Sequence, residues 1–422
     1  QDVNKQFDPT YSFGVSWRMA EESFIKDNIS WLNQLNLRAT WGIQGNVVNS
    51  ISPDLILTQQ GILSVYNEYY LTIKSLPNPH LKWERTKTWN LGLDLQLFNG
   101  LSMNFEYYGR SSNAIIQQDI AQEYGRSTMQ LNGGRITNHG LEYSINITPF
   151  QRKNFAWTIG VNASKNWNKS KIDDLSVQVD ALNRNDFIDG KKDRLLKKGY
   201  PISAFWSYSF AGLSPETGYP TFNNLDFEEP DGAIDPTTFL VYSGQSEPNF
   251  TGGITTRIRY KNLSLGADFS LLLGAKKRLP NPYDSFSNGK IPDPYDNLSK
   301  KLNKRWKNPG DEEHTIIPAL YTAIDDTYNM SLPDGKIESI YYMWGKSDAM
   351  VVNASFLRCT QLSLSWNMSR ETCAKFRATS FSISANVNNL FVIASKRFDG
   401  FDPEVNDSVM PKVFSFGLSV GF

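Results

Sequence analysis

The run from Val413 to Phe422 alternates without a break. Phe414, Phe416, Leu418, Val420 and Phe422 fall on one face of an extended chain, and Ser415, Gly417, Ser419 and Gly421 on the other. That period of two is what strand geometry imposes. A strand apolar on one side and small or polar on the other suits a wall between lipid and water. Crossing the hydrocarbon core takes about 9–11 tilted residues, and this run has that length. The last strand of a soluble sandwich also alternates, so the remaining runs must decide.

They repeat the pattern. Tyr11, Phe13, Val15, Trp17 and Met19 alternate with small or polar partners in a strand over about residues 10–21. Leu35, Leu37, Ala39, Trp41 and Ile43 do so over about 32–45. Leu91 to Leu97 and Leu101 to Tyr107 flank Asn99-Gly100, a strong hairpin signal. Further runs lie at 141–148, 155–163, 254–260, 263–271, 361–368 and about 377–392. A weaker pair is read at Trp206–Phe210 and Tyr219–Phe222 around the turn 214–218. This gives about 13 strands.

The connections separate membrane barrel from sandwich. They alternate short and long along the chain, the long ones covering about 46–84, 164–202 and 277–354. Outer-membrane barrels have short periplasmic turns and long outer loops, whereas a sandwich has no reason to obey that parity. The fold class expected is therefore all-β, a transmembrane antiparallel β-barrel with long extracellular loops. No run approaches the 18 apolar residues of a helical span. With 43 basic and 43 acidic residues, the charge gives no case for nucleic acid. The same parity makes strand 1 and strand 13 both run from outside to periplasm. Single-chain bacterial barrels have even strand numbers, so residues 1–422 are expected to be the C-terminal part of one larger barrel domain, broken in an outer loop before Gln1.

Candidate functional residues lie in the loops and on the polar face. Tyr66, Tyr69 and Tyr70 in the first long loop, and Tyr341, Tyr342 and Trp344 in the last, offer flat rings with polar tips. Such groups suit a ligand or a protein partner. Tyr321 and Tyr328 share that last loop. Arg257 and Arg259 share the polar side of their strand and are expected to face the lumen. Phe414, Phe416, Leu418 and Phe422 are the expected C-terminal assembly signal. Trp17, Trp41, Trp157, Trp206 and Trp366 sit on apolar faces, where an interfacial girdle would place them. Asp226, Glu228, Glu229, Asp231 and Asp235 form an acidic cluster without calcium-loop spacing, best read as a solvated loop. His80, His139 and His314 lie in distant segments with no metal-ligand spacing. No metal, cofactor or enzymatic activity is expected. Cys359 and Cys373, about 45 Å apart along extended chain, are too far for a disulfide.

Several stretches resemble the SusC/RagA-like family of TonB-dependent outer-membrane transporters of Bacteroidetes. They are Phe7-Asp8-Pro9, Glu21-Glu22-Ser23-Phe24, Leu81-Lys82-Trp83-Glu84-Arg85-Thr86 and Gly134-Arg135-Ile136-Thr137-Asn138-His139-Gly140-Leu141-Glu142. Downstream come Arg305-Trp306 with Pro309-Gly310-Asp311 and Ile317-Pro318, Ala354-Ser355-Phe356-Leu357-Arg358, Asn388-Asn389-Leu390-Phe391 and Asp402-Pro403-Glu404. They fall in family order along the chain; Cys359, where the family has Leu, is a mild departure.

The resemblance implies a barrel of about 22 strands with a plugged lumen, integral to the bacterial outer membrane. It implies partners: TonB acting through an N-terminal part, the upstream plug and barrel portion, and a SusD-like surface lipoprotein serving as lid. The expected activity is energised import of an oligosaccharide or oligopeptide. The alternatives are a passive porin, or an adhesin or assembly barrel.

Overall fold

The computed structural model describes residues 9–46, 52–98, 100–120, 122–125, 128–172, 184–190, 197–225, 234–283, 295, 297–320, 328–405 and 408–422. Its frame is one 11-stranded antiparallel sheet in which each strand pairs with its neighbour in the sequence order of the sheet. The strands are Tyr11–Arg18, Leu32–Asn46, Glu84–Leu97, Leu101–Asp119, Thr128–Arg152 and Phe155–Ile172. They continue with Phe250–Tyr260, Leu263–Leu273, Phe356–Asn367, Ser380–Ala394 and Val413–Gly421.

Register turns the alternation into two chemically distinct faces. Leu35, Leu95, Met103, Ile145, Val161, Ile254 and Phe269 are successive cross-strand partners, an apolar row across seven strands. The adjacent row reads Asn36, Asp94, Asn104, Ser144, Asn162, Gly253 and Ser270. A slip of one residue in any strand would place polar groups on the apolar face. The apolar face is open: Phe13 is 67 % exposed and Phe416 84 %. On a soluble protein such a face would be an unburied liability; against lipid it is the required surface.

Length matches the bilayer as well. A strand such as Leu263–Leu273 is about 37 Å long and, tilted by about 45°, rises about 26 Å, close to the apolar band of known barrels. Two strands far exceed it, Leu101–Asp119 with 19 residues and Thr128–Arg152 with 25. They run on past the band as a projecting hairpin, over residues that the sequence pattern assigns to a loop.

The sheet has eleven strands and not about thirteen. The turn at 214–218 is present, with Phe210 opposite Phe222 and Leu213 opposite Pro220. Yet this pair stands apart from the large sheet, and Ala204–Tyr208 pairs with Leu240–Gln245 in another small sheet. Five extended residues cover only about 17 Å, too short to cross, and all five of Ala204–Tyr208 are buried. Trp206, 2 % exposed, is therefore a loop-core residue and leaves the proposed girdle. Trp17, Trp41 and Trp366 remain on the open apolar face of the sheet, and Trp157, also on that face, is half-buried. The two cysteines are free and buried.

Candidate functional site

The long connections emerge from one rim of the sheet, and the described parts of 173–249, 274–355 and 395–412 fold into a cap with two apolar clusters. One gathers Tyr283, Leu302, Tyr328, Ile340, Tyr341 and Trp344. The other gathers Phe187, Trp206, Tyr208, Phe239 and Met343. The short helix Ile340–Gly345 lies between them, with Tyr341 and Trp344 in the first cluster and Met343 in the second, since residues one or two apart on a helix do not share a face.

That helix corrects the reading of Tyr341 and Trp344 as contact residues. Both are 1 % exposed. The Tyr341 hydroxyl donates to the Ala319 carbonyl at 2.8 Å, and the Trp344 indole N–H to the Ile316 carbonyl at 2.9 Å. Their polar tips are spent inside the cap. Tyr342 is half-buried beneath the Lys346 ammonium, and burial, with Asp189 and Glu338 nearby, raises its phenol.

Tyr66, Tyr69 and Tyr70 have the opposite fate. The first long loop contains a hairpin, Ile56–Leu63 with Glu68–Ser75, that the sequence pattern does not reveal. Tyr66 and Tyr69 are 72 % and 65 % exposed, and Tyr70 also lies open beside exposed Leu57, Ile62, Val65 and Leu71. Exposed aromatic and aliphatic groups are thus concentrated on this one hairpin.

The polar face carries a repeated device. Arg38 stands opposite Gly92, and its guanidinium forks to Asp94 at 3.0 and 3.1 Å while reaching Glu106 at 3.0 Å. Arg257 stands opposite Gly266 and reaches Asp268 at 2.8 Å. In both, a Cβ on the glycine would sit about 3 Å or less from the arginine side chain. Glycine thus opens the path over which each arginine reaches the aspartate two residues on. Arg259 lies on the same side, opposite Ser264. Beyond Glu106, a groove of about 600 Å³ runs past Asn90, Tyr108, Arg110, Asn138 and Glu142.

The motifs now have physical roles. Glu84 accepts from the Asn46 side chain at 3.1 Å and from the Ile115 amide at 3.1 Å, while Lys82 exchanges backbone bonds with the Asn132 side chain. The segment 81–84 thereby docks on the projecting hairpin. The amides of Asn308 and Lys307 hold the Asp311 carboxyl below its usual range, making Pro309-Gly310-Asp311 a turn. Arg358 pairs with Asp402 at 2.5 Å and with Glu404 at 2.6 Å, both motifs meeting at the rim. The sequence displays these pieces without showing that they touch.

The remaining candidates are scattered. Phe414, Phe416 and Leu418 stand open beside Val387, Ala385 and Ile383 of the neighbouring strand, and Phe422 follows, also exposed. Of the acidic cluster, Asp226, Glu228, Glu229 and Asp231 lie outside the described residues, as does Tyr321. Asp235 caps the turn Pro236–Thr238 and pairs with Lys197 at 3.5 Å. Among the described residues no group of His, Cys, Asp and Glu has metal-site geometry.

Comparison with known proteins agrees with this architecture. The model of the family "TonB dependent receptor-like, beta-barrel" matches residues 2–275. The chain is 28 % identical to the TonB-dependent receptor SusC of Bacteroides thetaiotaomicron, over 97 % of this chain and 40 % of that protein. It is 32 % identical to TonB-dependent receptor P26 of Formosa agariphila, over 68 % of this chain and 27 % of that one. The fold superposes on the structure of the RagAB peptide transporter with a TM-score of 0.74 at 21 % identity, covering 98 % of this chain and 43 % of that one. The chain thus spans about two fifths of the length of SusC, 40 %.

Proposed function

The chain belongs to the TonB-dependent receptor-like β-barrel family and is integral to the outer membrane. On that premise we propose that it forms part of the barrel of an active importer, energised by TonB, that takes up oligosaccharides or oligopeptides beneath a SusD-like lipoprotein lid.

The observation that carries this reading is the asymmetry of the two rims. One rim bears short turns; the other bears a folded cap with its own apolar clusters and an exposed aromatic hairpin. A passive pore needs no such cap. A captured ligand and a docking lid do, and the exposed Tyr66, Tyr69 and Tyr70 are the surface offered to the lid.

A second feature supports a larger barrel. Among the described residues, Tyr11–Arg18 and Val413–Gly421 each pair along one edge only. In hydrocarbon each unpaired backbone group costs several kcal/mol. The two edge strands run in the same direction, so the sheet cannot close on itself with antiparallel pairing. Further strands and a plug are proposed to complete residues 1–422 as one barrel domain. RagAB, described as a peptide transporter, favours a peptide among the ligands.

The test is gentle detergent extraction followed by peptide mass spectrometry of what copurifies, joined to uptake assays with and without TonB. Recovery of a plug-bearing polypeptide and a lipoprotein, with TonB-dependent uptake, is expected. A stable barrel of this chain alone, leaking solutes without TonB, would establish a passive pore instead.

A further inference from the structure

The cap holds a cleft that none of its motifs explains. It has a volume of about 610 Å³, within the range of ligand sites. Its floor is aliphatic: Leu279, Ile316, Ile317 and Met350, with Trp344 beneath. Ile316 remains 43 % exposed, so the floor is uncovered. The floor is also held in place. The Leu279 amide donates to the Met350 carbonyl at 2.9 Å, the Trp344 indole to the Ile316 carbonyl, and Arg397 to the Val351 carbonyl at 3.1 Å.

The rim of this cleft is strongly cationic on a chain whose net charge is zero. Lys300, Lys301, Lys304, Lys396 and Arg397 line it, against the single carboxylate of Asp399. Asp399 offsets little of this, because its ion pair with Lys300 is 3.8 Å long and open to water, with the two side chains 80 % and 45 % exposed. Lys304 and Lys396 have no carboxylate within ion-pair distance among the described residues. A scattered solvated face would place lysines on convex surface; here they surround an apolar hollow.

We propose that this cleft binds an acidic peptide segment. Its carboxylates lie along the lysines and one of its aliphatic side chains fills the floor. Charge complementarity fixes the sign of the ligand. The floor fixes its class: branched aliphatic groups and two prolines, Pro280 and Pro282, complement a hydrocarbon side chain. A sugar ring would want an open aromatic face and directional donors. Lysine ammonium groups supply charge without fork geometry, which suits carboxylates in variable positions.

This assignment depends on the importer reading only for the steps after capture. Binding is therefore measured at equilibrium on the intact detergent-purified transporter, without TonB, so that loss of capture and loss of import are separate results. The probes are a fluorescein-labelled octapeptide alternating Leu and Glu, its Leu–Gln counterpart, and a labelled oligogalacturonate of equal charge. The acidic peptide is expected to bind about tenfold or more tightly than its neutral counterpart, with affinity falling as salt rises. Lys300→Gln combined with Lys304→Gln, and separately Lys396→Gln, are expected to weaken it by about three- to tenfold, the range for a few exposed ion pairs. Unaltered mobility of the unboiled barrel on gels shows that the variants fold. Equal binding of the two peptides, tighter binding of the oligogalacturonate, or unchanged affinity in the folded lysine variants would overturn the proposal.

Discussion

Arg358 donates to both carboxylate oxygens of Asp402, at 2.5 and 2.7 Å, across 44 residues of sequence. Both side chains are almost fully buried, and Glu404 closes on the other guanidinium nitrogen at 2.6 Å. The pair fastens the connection after the Ser380–Ala394 strand to the upper end of Phe356–Asn367. Removing one partner of a buried pair strands the other charge, which costs about 3–5 kcal/mol. Asp402→Asn and Arg358→Gln are expected to free this connection. Limited proteolysis within 395–412 should quicken while the barrel stays resistant. Arg358→Lys should not rescue it, because an ammonium cannot fork.

Gly92 and Gly266 give a second expectation. Each faces an arginine whose side chain would lie about 3 Å or less from an added Cβ. Gly92→Val should push Arg38 off Asp94 and Glu106 and destabilise the sheet by about 1–3 kcal/mol, the range for overpacking. Gly61→Ala, where nothing lies within 4 Å, is the neutral control. Urea titration of the folded gel band in detergent reads the difference.

The exposed hairpin yields a third. Tyr66→Ala with Tyr69→Ala should lower recovery of the proposed lipoprotein lid by tenfold or more if either ring anchors the contact, since interface tyrosines often contribute about 2 kcal/mol. Trp344→Ala should instead loosen the cap, as loss of a large buried ring costs about 3–5 kcal/mol. Copurification separates the first effect; protease sensitivity of the cap reports the second.

The cap should also fail at high pH before the barrel does. Burial raises the phenols of Tyr208 and Tyr283 above their ordinary value of 10.0. Each proton is therefore held more tightly in the folded state than in the unfolded chain. The stabilisation is complete below about pH 10 and is lost as pH climbs towards the raised values. Phenolate absorbance and protease sensitivity of the cap should rise together above about pH 10. In Tyr208→Phe with Tyr283→Phe that alkaline loss should shrink.

The wall of this protein was legible in its sequence because a strand's faces are set locally. A period of two puts Leu91, Leu93, Leu95 and Leu97 on one side whatever surrounds them, and parity of connections then separates outer rim from inner. That reasoning located the eleven strands of the sheet. It failed at Trp206, where alternation was present but the strand is too short and is enclosed by Phe187, Tyr200 and Tyr242. The aromatic residues of the loops show the limit most plainly. Tyr69 and Tyr341 look alike in sequence, each beside a second tyrosine, yet one is 65 % exposed and the other 1 %. The difference is made by Tyr283, Tyr328 and Ala319, which close over Tyr341 from distant segments. The same holds for Arg358 with Asp402, and for the lysines that ring the cleft. Sequence determined which face of each strand meets lipid, since that depends on neighbours one and two residues away. Tertiary structure decided which loop groups are buried, paired or open, because that depends on contacts between segments that no local period encodes.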